Sequence, residues 1–173
     1  EGLNLKRRAA GLAEIRLGMG VATGEAIAGA IGSPKRMDYT VIGDSVNLAA
    51  RLEQLTKDYG VSLIVDEPTA AALADSPFTL RDLDTVRVRG RQSVGRIFQV
   101  LTSDDPLPDA ALDAYAEGRR QYSARSWDAA VAAFETAVAL APDDVPSALM
   151  LARAKTLRRA PPPAAWDGVW GEG

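Results

Sequence analysis

An asparagine and an arginine four residues apart, Asn47 and Arg51, stand inside the stretch Met37 to Glu53, MDYTVIGDSVNLAARLE. At helical spacing the two side chains share one face, an amide beside a guanidinium. Thr40 lies near the end of the apolar run that leads in. An enzyme that must hold a base, orient a sugar and neutralise a phosphate could use all three together. An exposed pair of this kind ordinarily carries little energetic weight. Here it occupies the first turns of a helix, where free N–H groups and the helix dipole already favour an anion.

The elements around the trio decide where it points. Ile15 to Thr23 (IRLGMGVAT) alternates Ile15, Leu17, Met19 and Val21 with small or polar residues, which predicts a strand with one buried face. Gly18, Gly20 and Gly24 lack the spacing of a dinucleotide loop and read as close backbone packing in a sheet. Ala26 to Ile31 is a second short apolar run, read as a paired strand, and Gly32 to Lys35 is a loop. Met37 to Ile42 resumes as a strand with Tyr39 and Val41 on one side. Asp44 or Ser45 is expected to cap the helix that follows, Leu48, Leu52, Leu55 and Tyr59 form its core stripe, and Gly60 ends it. Val61 to Val65 reads as a buried strand and Glu67 to Ala74 as a short helix with Pro68 in its first turn. Phe78 to Arg89 and Val94 to Leu101 read as a hairpin. Arg89 falls among Arg87, Arg91 and Arg96, a cluster that an ordinary charged hairpin would also explain.

Thr102 to Pro108 (TSDDPLP) is acidic and carries prolines, so a boundary is expected there. The pattern beyond it is helical, over about Ala110 to Ser123, Trp127 to Leu140 and Val145 to Leu157. Gly118, Ala130, Phe134, Ala137 and Pro142 fall at the offsets of a tetratricopeptide helix pair, although the usual large residues of the first helix are absent. Such arrays usually need at least ~3 repeats to bury their apolar faces. The segment is therefore expected to dock on the first domain, on a protein partner or on a second copy. The tail from Pro161 to Gly173, with Trp166 and Trp170, is expected to be irregular.

Composition removes several kinds of chemistry. The 173 residues include no cysteine and no histidine. Disulfides, thiolate metal sites and cysteine nucleophiles are excluded, as are a Ser-His-Asp triad and histidine-ligated zinc. The serine of Gly43-Asp44-Ser45 has no base to activate it. No GK[ST] follows Gly29 and Gly32, so there is no Walker A loop. A net charge of -3 gives no pull toward nucleic acid or anionic lipid. No apolar run reaches the ~20 residues of a membrane span, and no secretory signal opens the sequence. The first residue is not Met, and Leu3, Leu5, Ala9 and Leu12 read as the tail of a helix. The sequence is therefore expected to be a fragment whose upstream part is missing.

The stretch GMGVATGEAIAGAIGSPKRMDYTVIGDSVNLAARLE closely resembles the C-terminal half of the class III nucleotidyl cyclase catalytic domain, that of adenylate and guanylate cyclases. The resemblance covers about residues 1–101 and is densest over 18–53. It implies an α+β fold with a partial ferredoxin-like cyclase core, its N-terminal half missing, followed by a small all-α helical-repeat extension. The implied organisation is a cyclase segment over 1–101, a linker over 102–109, tetratricopeptide-like helices over 110–158 and an irregular tail over 159–173. By position, Asn47 is similar to the family's ribose-orienting asparagine and Arg51 to its arginine on the α-phosphate. Thr40 occupies the position that helps choose the purine. Many members have Asp there and guanylate cyclases typically Cys, whereas one bacterial adenylate cyclase branch has Thr. Val41 would offer its carbonyl to the adenine amino group, and Arg89 aligns with a basic residue, usually Lys, on the triphosphate.

The resemblance further implies ATP as substrate, a homodimer with sites at the subunit interface, and two Mg2+ or Mn2+ ions. The metal aspartates and the base-selecting lysine belong to the family's N-terminal half, and Asp38, Asp44 and Asp66 do not hold the metal positions. Alone, this chain is expected to be inactive. A cytoplasmic location is expected, with any membrane anchor in upstream segments. The competing reading is a non-catalytic, cyclase-like regulatory module whose helical tail recruits a partner.

Overall fold

A computed structural model describes residues 2–33, 36–87, 94–102 and 106–170. Its elements run α1 (Gly2–Ala9), β1 (Met19–Val21), β2 (Ile27–Ser33), β3 (Arg36–Ile42), α2 (Asp44–Tyr59), β4 (Leu63–Asp66), α3 (Glu67–Ala72), β5 (Thr79–Arg87), β6 (Val94–Leu101), α4 (Asp109–Ser123), α5 (Trp127–Leu140) and α6 (Val145–Arg159). The fold is α+β with a helical extension. Four strands form a sheet in the order β1-β4-β6-β5, with β1 parallel to β4 and the other neighbours antiparallel. The second apolar run pairs forward, as β2 on β3 in a separate antiparallel ribbon.

Helix α2 forms where the spacing predicts it. Leu48, Leu52, Leu55 and Tyr59 are all buried, packed with Ile64, Leu83 and Ile97 from one face of the sheet. Gly60 closes the helix in the left-handed region at φ 65°, a conformation that glycine adopts without strain. The start differs from expectation. Gly43 is the N-cap, with no side-chain cap bond, and Ser45 Oγ instead donates to the Glu25 carbonyl at 3.0 Å. Ser45 lies one residue inside the helix, so its hydroxyl ties α2 to the preceding loop. On the other sheet face Val65 and Val100 pack with Ala70 of α3, which is N-capped by Asp66 accepting from the Thr69 N–H at 3.0 Å.

The first strand corrects the expectation of a buried alternating face. Ile15, Leu17, Met19 and Val21 are all exposed, and the strand shortens to Met19–Val21. The glycine side faces α2 instead. A Cβ on Gly20 would lie 2.2 Å from the Ala49 carbonyl oxygen and 2.4 Å from the Glu53 nitrogen, and one on Gly18 would lie 2.0 Å from Thr56 Oγ1. These glycines are what let α2 lie directly on the strand. The opposite, apolar side of β1 is left uncovered.

The three C-terminal helices share a core of Tyr115, Tyr122, Ala130, Phe134, Ala137, Met150, Ala154 and Leu157. Gly118 allows α4 to meet α5, since a Cβ there would lie 2.5 Å from the Phe134 ring. Past α6 the chain is irregular but packed: Trp166 stands edge-on to Tyr122 at 5.8 Å and beside Trp127. This segment also lies against the sheet. Leu149 of α6 joins the α2 core, and Gly60 faces Val145, which a Cβ would approach to 2.9 Å. No helix among the described residues is long and apolar enough to cross a membrane.

Candidate active site

Asn47 and Arg51 stand exposed on the N-terminal half of α2, while Leu48 and Leu52 on the opposite side fix the helix in the core. One helical turn separates them, about 6 Å of rise. Arg51 Nη1 donates to Gln54 Oε1 at 3.4 Å, a weak exposed contact that leaves the guanidinium facing outward. Among the described residues the Asn47 side chain has no hydrogen-bond partner. Strand β3 runs directly into Gly43 and α2, so Thr40 and Val41 lie just before the helix. In the ribbon, half-buried Thr40 pairs with Gly29, and exposed Val41 with Ala28. Arg89 falls outside the described residues. The structure thus gathers Asn47 and Arg51 on one helix face and Thr40 and Val41 on the strand leading in.

The surroundings of this group are apolar and open. Among the described residues, twelve of sixteen exposed large hydrophobic side chains lie between Leu3 and Ile42. On the ribbon Tyr39 is 78% exposed and Ile27 75%. Ile27 and Ile42 lie on one face of the ribbon and Tyr39 on the other, so both faces present exposed apolar side chains, as interaction surfaces do. Nothing near it resembles a metal site: among the described residues no three acidic side chains converge. Asp66 is committed to the Thr69 N–H and, at 3.3 Å, to the Thr23 N–H. The described side chains thus offer no set that fits the two-ion centre.

Sequence reasoning missed a second polar cluster, at the junction of sheet and helices. A bulge in β5 sets Asp82 opposite Phe98 and Asp84 opposite Ile97, with Leu83 as the extra residue, and both Leu83 and Asp84 are buried. The Asp84 carboxylate, 2% exposed, accepts from Tyr59 Oη at 2.5 Å, from Arg119 Nη1 at 3.2 Å, from Arg153 Nη1 and from the Thr85 N–H. Burial raises the Tyr59 hydroxyl well above the ordinary tyrosine range, and the Asp84 charge adds to it. Burial works to lower the Arg119 and Arg153 guanidiniums, but Asp84 together with Tyr115 and Asp82 around Arg119, and with Tyr59 around Arg153, outweighs it and both are raised. Nearby, buried Arg81 donates to Gln99 Oε1 at 2.9 Å and to Asp144 at 2.8 and 3.0 Å, while Asp144 also caps α6. A readable signal existed: Arg119 and Arg153 sit within apolar helical stripes, between Tyr115 and Tyr122 and between Met150 and Leu157.

Residues 5–101 match the family described as the adenylate and guanylate cyclase catalytic domain, and the chain belongs to that family. It is 39% identical over 101 residues to Adenylate cyclase 1 of Rhizobium meliloti (strain 1021), a match covering 58% of this chain and 15% of that protein. It is 30% identical over 145 residues to the terminal-differentiation-specific adenylate cyclase of Dictyostelium discoideum, covering 80% of this chain and 7% of that protein. A crystal structure of the adenylyl cyclase CyaB from P. aeruginosa is similar at a TM-score of 0.50 and 32% identity, covering 61% of this chain and 53% of that one. The chain therefore spans a small part of these two relatives and about half of the solved structure.

Proposed function

We propose that this chain is part of an adenylate cyclase that converts ATP to cyclic AMP and pyrophosphate, and that it supplies the ribose- and phosphate-facing part of a site completed by a second copy. The observation that carries the reading is Asn47 and Arg51 side by side and exposed at the open end of a helix locked into the core on its other face. In the reaction the ribose 3′-oxygen bonds to the α-phosphorus, the bond from that phosphorus to the pyrophosphate oxygen breaks, and the hydroxyl proton is lost. Charge builds on the equatorial oxygens, and a preorganised guanidinium at Arg51 stabilises it more in the transition state than in the ground state. Asn47 aligns the ribose. The Thr40 hydroxyl and the Val41 carbonyl meet the adenine, and Arg89 meets the triphosphate.

In this reading residues 1–101 are the C-terminal half of the catalytic domain, 102–109 a linker, 110–158 tetratricopeptide-like helices and 159–173 a tail. The uncovered apolar side of β1 and the ribbon receives the rest of the domain and the second copy. The Mg2+ or Mn2+ pair is held by ligands outside this chain, and the working location is the cytoplasm. The test is an assay with ATP and Mn2+ of this chain alone and of the protein containing both halves of the domain. Cyclic AMP is expected only from the second. Product from this chain alone contradicts the reading.

A further inference from the structure

The helical segment touches α2, which carries Asn47 and Arg51, and strand β5, whose last residue is two before Arg89 in the sequence. Its first contact is at Asp84. One buried carboxylate accepts from Tyr59 on α2, Arg119 on α4 and Arg153 on α6, so the position of α6 is tied to that of α2 through a single acceptor. Tyr59 lies eight residues from Arg51 on the same continuous helix, about 12 Å by helical rise. A helix packed at native density transmits a shift along its length. Its second contact is at the far end of the same strand, β5. Asp167 in the tail takes a 2.5 Å ion pair from Arg87, the last residue of β5 and two before Arg89.

The tail is itself anchored. Arg125, at φ 60°, donates to the carbonyls of Pro162, Pro163 and Ala164, and Trp166 Nε1 donates to the Val169 carbonyl at 2.8 Å. Arg153 lies 5.5 Å from the centre of the Trp170 ring and 5.6 Å from that of Tyr59, so the same guanidinium meets both the tail and α2. An apolar residue in place of Arg153 would suit the stripe of Met150, Ala154 and Leu157 but would leave the buried Asp84 carboxylate with one guanidinium fewer. Removing one partner of a buried ion pair is costly because the other charge is left uncompensated, so this pairing couples the position of α6 to that of α2.

We propose that Arg153 and Asp167 are positioning residues for cyclisation: acting through Asp84 and Tyr59 at one point and Arg87 at another, they hold α2, with Asn47 and Arg51, in register with β5. The proposal rests on the cyclase reading above. It makes the helical segment a clamp on its own catalytic elements.

The test uses the protein containing both halves of the domain. Arg153→Met keeps most of the stem and removes the charge, leaving Asp84 with Tyr59 and Arg119. The expected result is a kcat lower by about 10-fold with the KM for ATP nearly unchanged. Arg153→Lys restores part of it, because an ammonium can still pair with Asp84. Asp167→Asn, on a half-exposed pair, lowers kcat by about 3-fold. Amide hydrogen exchange on the same protein without nucleotide should show Leu52 to Tyr59 exchanging about 10-fold faster in Arg153→Met, with the α5 amides unchanged. Unchanged α2 exchange, or a uniform loss of protection that includes α5, overturns the clamp. A wild-type protein that makes no cyclic AMP overturns the cyclase reading instead, and the exchange measurement tells the two failures apart.

Discussion

The two ends of α2 meet opposite surroundings. At its N-terminal half, Asn47 and Arg51 face outward beside a ribbon whose Ile27, Met37, Tyr39 and Ile42 are all more than half exposed. At its C-terminal end, Tyr59 enters a buried ionic junction and Gly60 lies against Val145 of α6. One end is closed by the chain's own helices. The other is polar chemistry framed by apolar surface that none of the described residues covers. In the proposed reading, the difference separates what the chain completes by itself, the placement of α2, from what the second copy and the rest of the domain supply.

The largest expected effect breaks the closed end. Asp84→Ala removes the shared acceptor and leaves the buried Arg119 and Arg153 guanidiniums without it, which should destabilise the protein by about 3–5 kcal/mol in chemical denaturation. A loss under about 1 kcal/mol would mean that the junction is solvated and clamps nothing. Next comes the seat of the helix. Gly20→Ala forces a methyl against the Ala49 carbonyl and the Glu53 nitrogen, so α2 must lift from β1. A loss of about 1–3 kcal/mol is expected. An unchanged melting temperature would show that the strand and the helix are not seated as described.

The smallest effect on stability belongs to the open end. Met37→Ser with Tyr39→Ser should change folding stability by no more than about 0.5 kcal/mol per site, because both side chains are mostly exposed. The same pair of changes should weaken self-association of the full catalytic domain in sedimentation experiments. A stability loss as large as that of a core substitution would erase the contrast between the two ends.

Much of the scaffold was legible because local pattern dictates it. The Leu48, Leu52, Leu55 and Tyr59 stripe with Gly60 behind it specifies α2, and Gly118 with Phe134 specifies where α4 meets α5. The side-by-side placement of Asn47 and Arg51 follows from helical spacing alone. The orientation of β1 was not legible. Alternation reveals which residues share a face, but not whether this chain covers that face, and here Ile15, Leu17, Met19 and Val21 are the uncovered set. The helix starts earlier than expected, at the Gly43 cap, and the Ser45 hydroxyl donates to the Glu25 carbonyl, twenty residues earlier, instead of accepting from first-turn N–H groups. The Asp84 junction was hidden by distance along the chain, 35 positions to Arg119 and 69 to Arg153. Two arginines inside apolar stripes were its only local trace.

The most direct test of the account is Arg51→Ala in the protein containing both halves of the catalytic domain, with kcat and the KM for ATP measured together. Loss of a guanidinium that acts on the transition state should lower kcat by ~10³-fold or more and leave KM within a few-fold. An equal loss in binding and turnover, or no loss at all, would contradict the role of the exposed pair on α2.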